Sequence, residues 1–331
     1  MKLLKPRALK PGSRLGIIAC STPINAAPDV IERAYRRLQE LGFEVVEAPG
    51  ARGLVGHTAG SIAERVKAFH AFIRDPKIDG IMAFWGGFQG HQLLEYLDFD
   101  LIRRKPKPII GYSDMTSLLV GIHEKTGLVT FNGPAGITFG KPELPEFTRQ
   151  GFETIVMKGQ APHSLAASEE ISDNLWFLDP DKKMHFRGNP GWKVFRAGKA
   201  EGRLIGGNVG TMLLLAGTPY WPKLKGRILV IEDDESENSK TLDRFFTQLR
   251  QMGVYDEIAG MIVGRFSASV KLSETDSLDM ILNDALRGYR FPVITEIDFG
   301  HTDPLLTLPM GVRARMSTKP LKIELLEAGV S

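Results

Sequence analysis

A serine hydroxyl is a weak nucleophile near neutral pH and needs a neutral imidazole within hydrogen-bond reach, oriented by a carboxylate. The stretch Ile109-Ile110-Gly111-Tyr112-Ser113-Asp114 offers such a serine. Two β-branched residues run into a Gly-Tyr-Ser-Asp turn, and a helical stretch, Met115 to His123, follows at once. A serine at a strand-to-helix corner has its hydroxyl lifted above the sheet edge. The amide of the next residue, Asp114, is then free to meet a developing oxyanion. Serine and aspartate are also preferred helix N-caps, so Ser113 is a candidate cap as well, and the two roles do not exclude each other. The segment is not a Gly-x-Ser-x-Gly elbow, because Met115 stands where the second glycine would be.

The base has to come from seven histidines. His70 falls on a helix face and reads as structural, and His123 closes a polar helix end. His57, His163 and His185 lie in loops and stay open as alternatives. His301 follows an apolar strand in Phe299-Gly300-His301-Thr302-Asp303, a turn from which an imidazole can project from a rigid strand end. For the acid, Ile228-Leu229-Val230-Ile231 delivers Glu232 at the end of a buried strand, where a carboxylate needs a partner. The acids that follow, Asp233, Asp234, Glu235 and Glu237, fit a solvated loop feeding the helix at Ser239. A metal site is a further option for that run, but no His or Cys accompanies it and the spacing is irregular; no metal and no cofactor are expected.

The elements that must position these groups are legible as alternating strand and helix signals from 14 to 131. Apolar runs at Leu15–Cys20, Phe43–Val46, Ile78–Phe84, Ile109–Ser113 and Leu128–Phe131 alternate with helical patterns. One helix opens with a Ser61-x-x-Glu64 capping box, and Gly42 ends another. This argues for a parallel sheet covered on both faces, with ligands at the carboxyl ends of its strands, where Ser21, Gly86-Gly87, Ser113 and Asn132 all fall. From about 141 to 200 prolines punctuate a polar stretch carrying Trp176 and Trp192. Strand signals resume at Gly202-Arg203-Leu204-Ile205-Gly206-Gly207-Asn208 and dominate to the end. The fold expected is therefore α/β: an N-terminal parallel-sheet domain (1–150) with the nucleophile, a linker and substrate loop (151–200), and a strand-rich α+β domain (201–331) with acid and base.

Bulk properties exclude other classes. With 331 residues, 43% hydrophobic and 24% charged, the chain is of soluble globular type and long enough for two cores. A net charge of +3 is too small to imply nucleic acid or a membrane surface. No apolar run approaches the ~20 residues that span a bilayer. No secretory h-region follows the first basic residues, and the single Cys20 suits a reducing compartment; a cytoplasmic location is expected. A lone cysteine ending an apolar strand is expected to be simply buried. No phosphate-loop motif is present. A non-enzymatic two-lobed ligand-binding protein remains the alternative of another class, but it has no need for Ser113, Glu232 and His301 to converge.

Four motifs in order, Gly111-Tyr112-Ser113-Asp114, Leu204-Ile205-Gly206-Gly207-Asn208, Ile231-Glu232-Asp233, and Gly300-His301 followed by Leu308-Pro309-Met310-Gly311, resemble the S66 serine peptidases over nearly the whole chain. That family comprises the LD-carboxypeptidases of murein recycling and the microcin C immunity peptidases. The resemblance implies Ser113 as nucleophile, Glu232 as triad acid and His301 as base. It also implies an oxyanion hole from the Asp114 amide and one amide of the Gly86-Gly87 turn, assigned to Gly87. The residues around that turn depart from the family's usual forms, which leaves Gly86 open. The stretch Asn189 to Lys193, with 198 to 208, looks more like the microcin C immunity branch, in which a loop aromatic stacks on the substrate's adenine. Trp176 is the candidate for that role, a packing role being the alternative. The substrate implied is a peptide or peptidyl-nucleotide cleaved at an amide by its carboxyl end, a murein tetrapeptide losing D-alanine being the alternative. A homodimer is implied as well.

Overall fold

The computed structural model describes residues 2–178 and 183–331. Its first sheet has six strands, in the order Leu308–Met310, Thr130–Asn132, Ile109–Gly111, Gly80–Ala83, Arg14–Ile18, Glu44–Glu47. Five run parallel, as the alternating signals predict, and the sixth, Leu308–Met310, is an antiparallel edge. The strands Gly80–Ala83, Ile109–Gly111 and Thr130–Asn132 are buried at every residue, as a sheet covered on both faces requires.

The helices between the strands form for local reasons the sequence carries. In Ile62–Arg74 the expected capping box is present: Glu64 N–H donates to Ser61 Oγ at 3.3 Å and Ser61 N–H to Glu64 Oε2 at 2.8 Å. Pro28–Glu40 buries Val30, Ile31, Ala34 and Leu38, and Gly42 follows it at φ +91°. The helix Met115–Thr126 departs from expectation, because it is buried at every residue from Met115 to His123. His123 therefore does not close a polar helix end. Its Nδ1 lies 2.8 Å from the Leu128 carbonyl oxygen, and burial pushes the imidazole down to about 4.

The second sheet has eight strands, in the order His163–Leu165, Leu321–Leu325, Arg313–Thr318, Lys199–Asn208, Ile228–Glu232, Gly260–Gly264, Val293–Ile297, Lys193–Arg196. It is strand-rich, as expected, but its centre from Lys199–Asn208 to Val293–Ile297 is parallel. Both outer strands come from the stretch read as linker and loop, and Leu308–Met310 returns to the first sheet, so the two halves are interleaved. Short local patterns cannot announce such long-range pairings.

The Gly206-Gly207-Asn208 motif has its explanation at the junction. A Cβ on Gly206 would collide with the Val230 carbonyl oxygen of the neighbouring strand. One on Gly207 would collide with Thr116 Oγ1 on the helix behind Ser113. Asn208 N–H then donates to that same Oγ1 at 2.9 Å. Gly207 also sits at φ +144°. Gly207→Ala is expected to lower unfolding stability by about 1–3 kcal/mol through overpacking and backbone strain, read from urea melts. An unchanged midpoint would show that the junction is slack. Among the described residues no helix is long and apolar enough to cross a membrane.

Candidate active site

Ser113 sits at the corner between Ile109–Gly111 and Met115–Thr126 with φ +63°, the left-handed region that non-glycine residues rarely occupy. The capping account does not hold. The N-cap position falls on Asp114, and no side chain caps the helix. Asp114 is buried and turns its carboxylate away, accepting from Gly90 N–H at 2.9 Å. The Asp114 amide is thus left at the first turn of the helix.

Facing the corner is the end of the second sheet. Glu232 is the last residue of Ile228–Glu232 and is fully buried. Its Oε2 lies 2.7 Å from His301 Nδ1, and its Oε1 has no hydrogen-bond partner among the described residues. Burial works against a charged His301, but the Glu232 carboxylate and its hydrogen bond outweigh that and push the imidazole up to about 9. Gly300, at φ +116°, makes the contact possible, since a Cβ there would come within 2.5 Å of Glu232 Oε2. The Tyr112 ring packs on the imidazole, with centroids 5.0 Å apart. Asp233 is spent on structure, accepting from Asn208 Nδ2 at 2.7 Å and from the Gly210 amide at 2.9 Å. Burial, and then the charge of Glu232, push its carboxyl up to about 7.

Ser113, His301, Gly86, Gly87 and Trp176 all line one cavity of about 280 Å³, and Glu232 lies behind His301. Gly86 packs against the serine, since a Cβ there would be 3.0 Å from Ser113 Oγ. Its carbonyl accepts from Thr22 N–H at 3.3 Å, which in a trans peptide turns the Gly87 N–H the opposite way. Ser21 builds this turn by accepting from the Phe88 and Gln89 amides at 3.0 and 2.9 Å. Trp176 is buried in the core on one side and reaches the cavity on the other, so packing and lining coexist in it. Asn132, expected at the strand ends with the others, is buried under Gly207 and does not line the cavity. Cys20 is buried, and burial, with the nearby Asp114 charge, pushes its thiol up to about 12.

Sequence reasoning missed Lys141, Asp303, Phe88 and the cavity wall Asp234-Glu235-Ser236. Only the acidic run carries a local signal, and its composition suits a solvated loop equally well. Asp233, Asp234 and Glu237 bring carboxylate oxygens within 4.8 Å of one another, with no His or Cys among them. Of the histidines left open, His163 lies in the edge strand His163–Leu165; neither it, His57 nor His185 lines the cavity.

Fold and cleft place an acid-paired histidine and a strained serine in one cavity, and comparison with known proteins gives the class. The LD-carboxypeptidase N-terminal domain matches residues 15–133 and the LD-carboxypeptidase C-terminal domain residues 201–316. The putative carboxypeptidase YocD of Bacillus subtilis is 35% identical, covering 93% of this chain and 94% of its own. The microcin C7 self-immunity protein MccF of Escherichia coli is 33% identical over 97% and 95% of the two chains. A solved MccF-like protein from Bacillus anthracis superposes with TM-score 0.92 at 34% identity, covering 98% of this chain and 99% of that one. The chain belongs to the S66 LD-carboxypeptidase family and is a carboxypeptidase.

Proposed function

We propose that this carboxypeptidase cleaves an amide at the carboxyl end of a peptide or peptidyl-nucleotide by acyl transfer through Ser113, His301 and Glu232. The observation that carries the reading is the His301–Glu232 hydrogen bond of 2.7 Å in a cleft shared with a strained Ser113. His301 takes the Ser113 proton as the hydroxyl oxygen attacks the carbonyl carbon, and Glu232 stabilises the imidazolium. The amides of Gly87 and Asp114 receive the oxyanion. The imidazolium then protonates the leaving amine, and water activated by the same His301 hydrolyses the acyl-enzyme.

We favour a substrate of the microcin C immunity type. Structures of MccF hold aspartyl sulfamoyl adenosine and glutamyl sulfamoyl guanosine. Trp176 supports a base-stacking role here, because its ring reaches the cavity. Stacking on a base is worth about 1–3 kcal/mol, so Trp176→Ala should raise KM for an aminoacyl sulfamoyl adenosine by ~5- to 100-fold. A murein tetrapeptide should be affected far less; equal losses on both would reduce Trp176 to packing.

One observation favours murein peptides instead. Asp234 and Glu235 line the cavity, and their charge suits the ammonium of a diamino acid. A probable murein peptide carboxypeptidase of Bacillus subtilis is also 32% identical over 99% of this chain. The deciding experiment compares kcat/KM for L-Ala-γ-D-Glu-meso-diaminopimelyl-D-Ala and for glutamyl sulfamoyl adenosine, with products followed by mass spectrometry. Preferential release of the nucleoside sulfamate is the result expected. Preferential release of D-alanine would reassign the enzyme to murein.

A further inference from the structure

Among the described residues that line the active-site cavity, only Lys141 carries an ammonium or guanidinium. It is an unusual lysine. Its residue is 5% exposed, and it pairs with the equally buried Asp303 two positions beyond His301. Burying an ion pair is a poor route to stability, because desolvation of both charges offsets most of their attraction. The pair nevertheless lies where two halves of the site meet. Lys141 follows the turn Gly136–Gly140 beyond the first sheet, whereas Asp303 belongs to the His301 turn.

Asp303 is itself held in place. Its N–H donates to the Ser172 carbonyl at 2.7 Å, and its carbonyl accepts from Ser172 N–H at 2.8 Å. The ammonium also stands 5.9 Å from the centre of the Trp176 ring, a cation–π contact that favours its position on the cavity side. An ammonium has three donors, and Asp303 is the one side-chain or backbone acceptor that Lys141 Nζ has among the described residues. Two N–H groups therefore remain for whatever enters the cavity.

A carboxypeptidase has to recognise an anion beyond the scissile amide. Resting on the function proposed above, we propose that Lys141, positioned by Asp303, is the cation that receives this anion. The group it takes is an oxyanion: the terminal carboxylate of a peptide, or the acidic phosphoryl or sulfamate group of a peptidyl-nucleotide. Asp303 prevents the empty site from holding an uncompensated charge and fixes the ammonium against the Trp176 ring. On binding, the ligand accepts the two spare N–H groups without displacing Asp303.

Binding tests this apart from catalysis. In Ser113→Ala protein, calorimetric titrations compare two ligand pairs: the tetrapeptide L-Ala-γ-D-Glu-meso-diaminopimelyl-D-Ala with its C-terminal carboxamide, and aspartyl sulfamoyl adenosine with an analogue carrying a neutral ether in place of the ionised sulfamate. The anionic member of at least one pair should bind about tenfold or more tightly, as expected for a charged hydrogen bond. The pair that shows the difference identifies the source of the oxyanion. Adding Lys141→Met with Asp303→Asn, which removes both charges together, should reduce the ratio to near unity. Lys141→Arg should keep the preference, and it serves as the reporter if the double variant fails to fold: an anion preference lost in Lys141→Arg protein that melts like the parent overturns the proposal. So does a ratio unchanged in the folded double variant, or the absence of a preference in both ligand pairs. Loss of Ser113-dependent turnover with the binding preference intact would strike the catalytic reading alone.

Discussion

Glu232→Gln is expected to lower kcat by about 10⁴-fold, the scale on which a triad loses rate when its acid can no longer stabilise imidazolium. The geometry makes Glu232 an extreme case. It is fully buried, its single hydrogen bond goes to His301, and its second oxygen has no partner among the described residues. The same substitution should change the pH profile in a predictable sense. In the wild type Glu232 holds His301 up to about 9, so the neutral base accumulates, and kcat/KM rises, as pH climbs from 7 toward 9. Without the carboxylate, burial dominates and the limb moves to lower pH. Stability follows the opposite course. A raised imidazole pKa contributes stability that is fully present below the ordinary histidine range and is lost as pH rises through about 9. Wild-type melting temperature should therefore fall between pH 7 and 10, and the Glu232→Gln curve should be flatter. A limb that stays in place in the variant would show that another group governs it.

Ser113→Ala should remove turnover to the level left by binding and the oxyanion amides, a loss of ~10⁴-fold or more. It should scarcely change stability, because alanine inherits the same strained φ of +63°. Ser113→Gly makes a sharper companion. It should be as inactive as Ser113→Ala but more stable by about 0.5–1 kcal/mol, because glycine occupies the left-handed region without strain. Chemical denaturation of the three proteins measures this directly. A glycine variant no more stable than the alanine variant would mean the corner is not strained.

The parts of this molecule written in short-range pattern were readable from sequence. The parallel strands, the Ser61 capping box and the elbow at Ser113 depend on neighbours within a few residues. Ser113, Glu232 and His301 stood out as candidates because each lies at or just beyond the carboxyl end of an apolar strand, where parallel sheets place their ligands. Lys141 and Asp303 left no such trace: 162 positions separate them, and neither ends a strand. The capping reading of Ser113 failed because sequence shows which residue type suits a cap, not the sign of its φ. His123 was misread for a related reason. Its helix looked polar-ended, but Leu308–Met310 and Gly311 return to cover it, and a Cβ on Gly311 would strike the imidazole.

The proposed mechanism passes an acyl group through Ser113. The most direct measurement is the intact mass of the enzyme, acid-quenched during turnover of the better of the two substrates and followed by peptide mapping. A mass gain equal to the acyl portion, on the peptide containing Ser113 and absent from the Ser113→Ala protein, is the predicted result. Measurable turnover with no enzyme-bound acyl group, surviving in the Ser113→Ala protein, would contradict it.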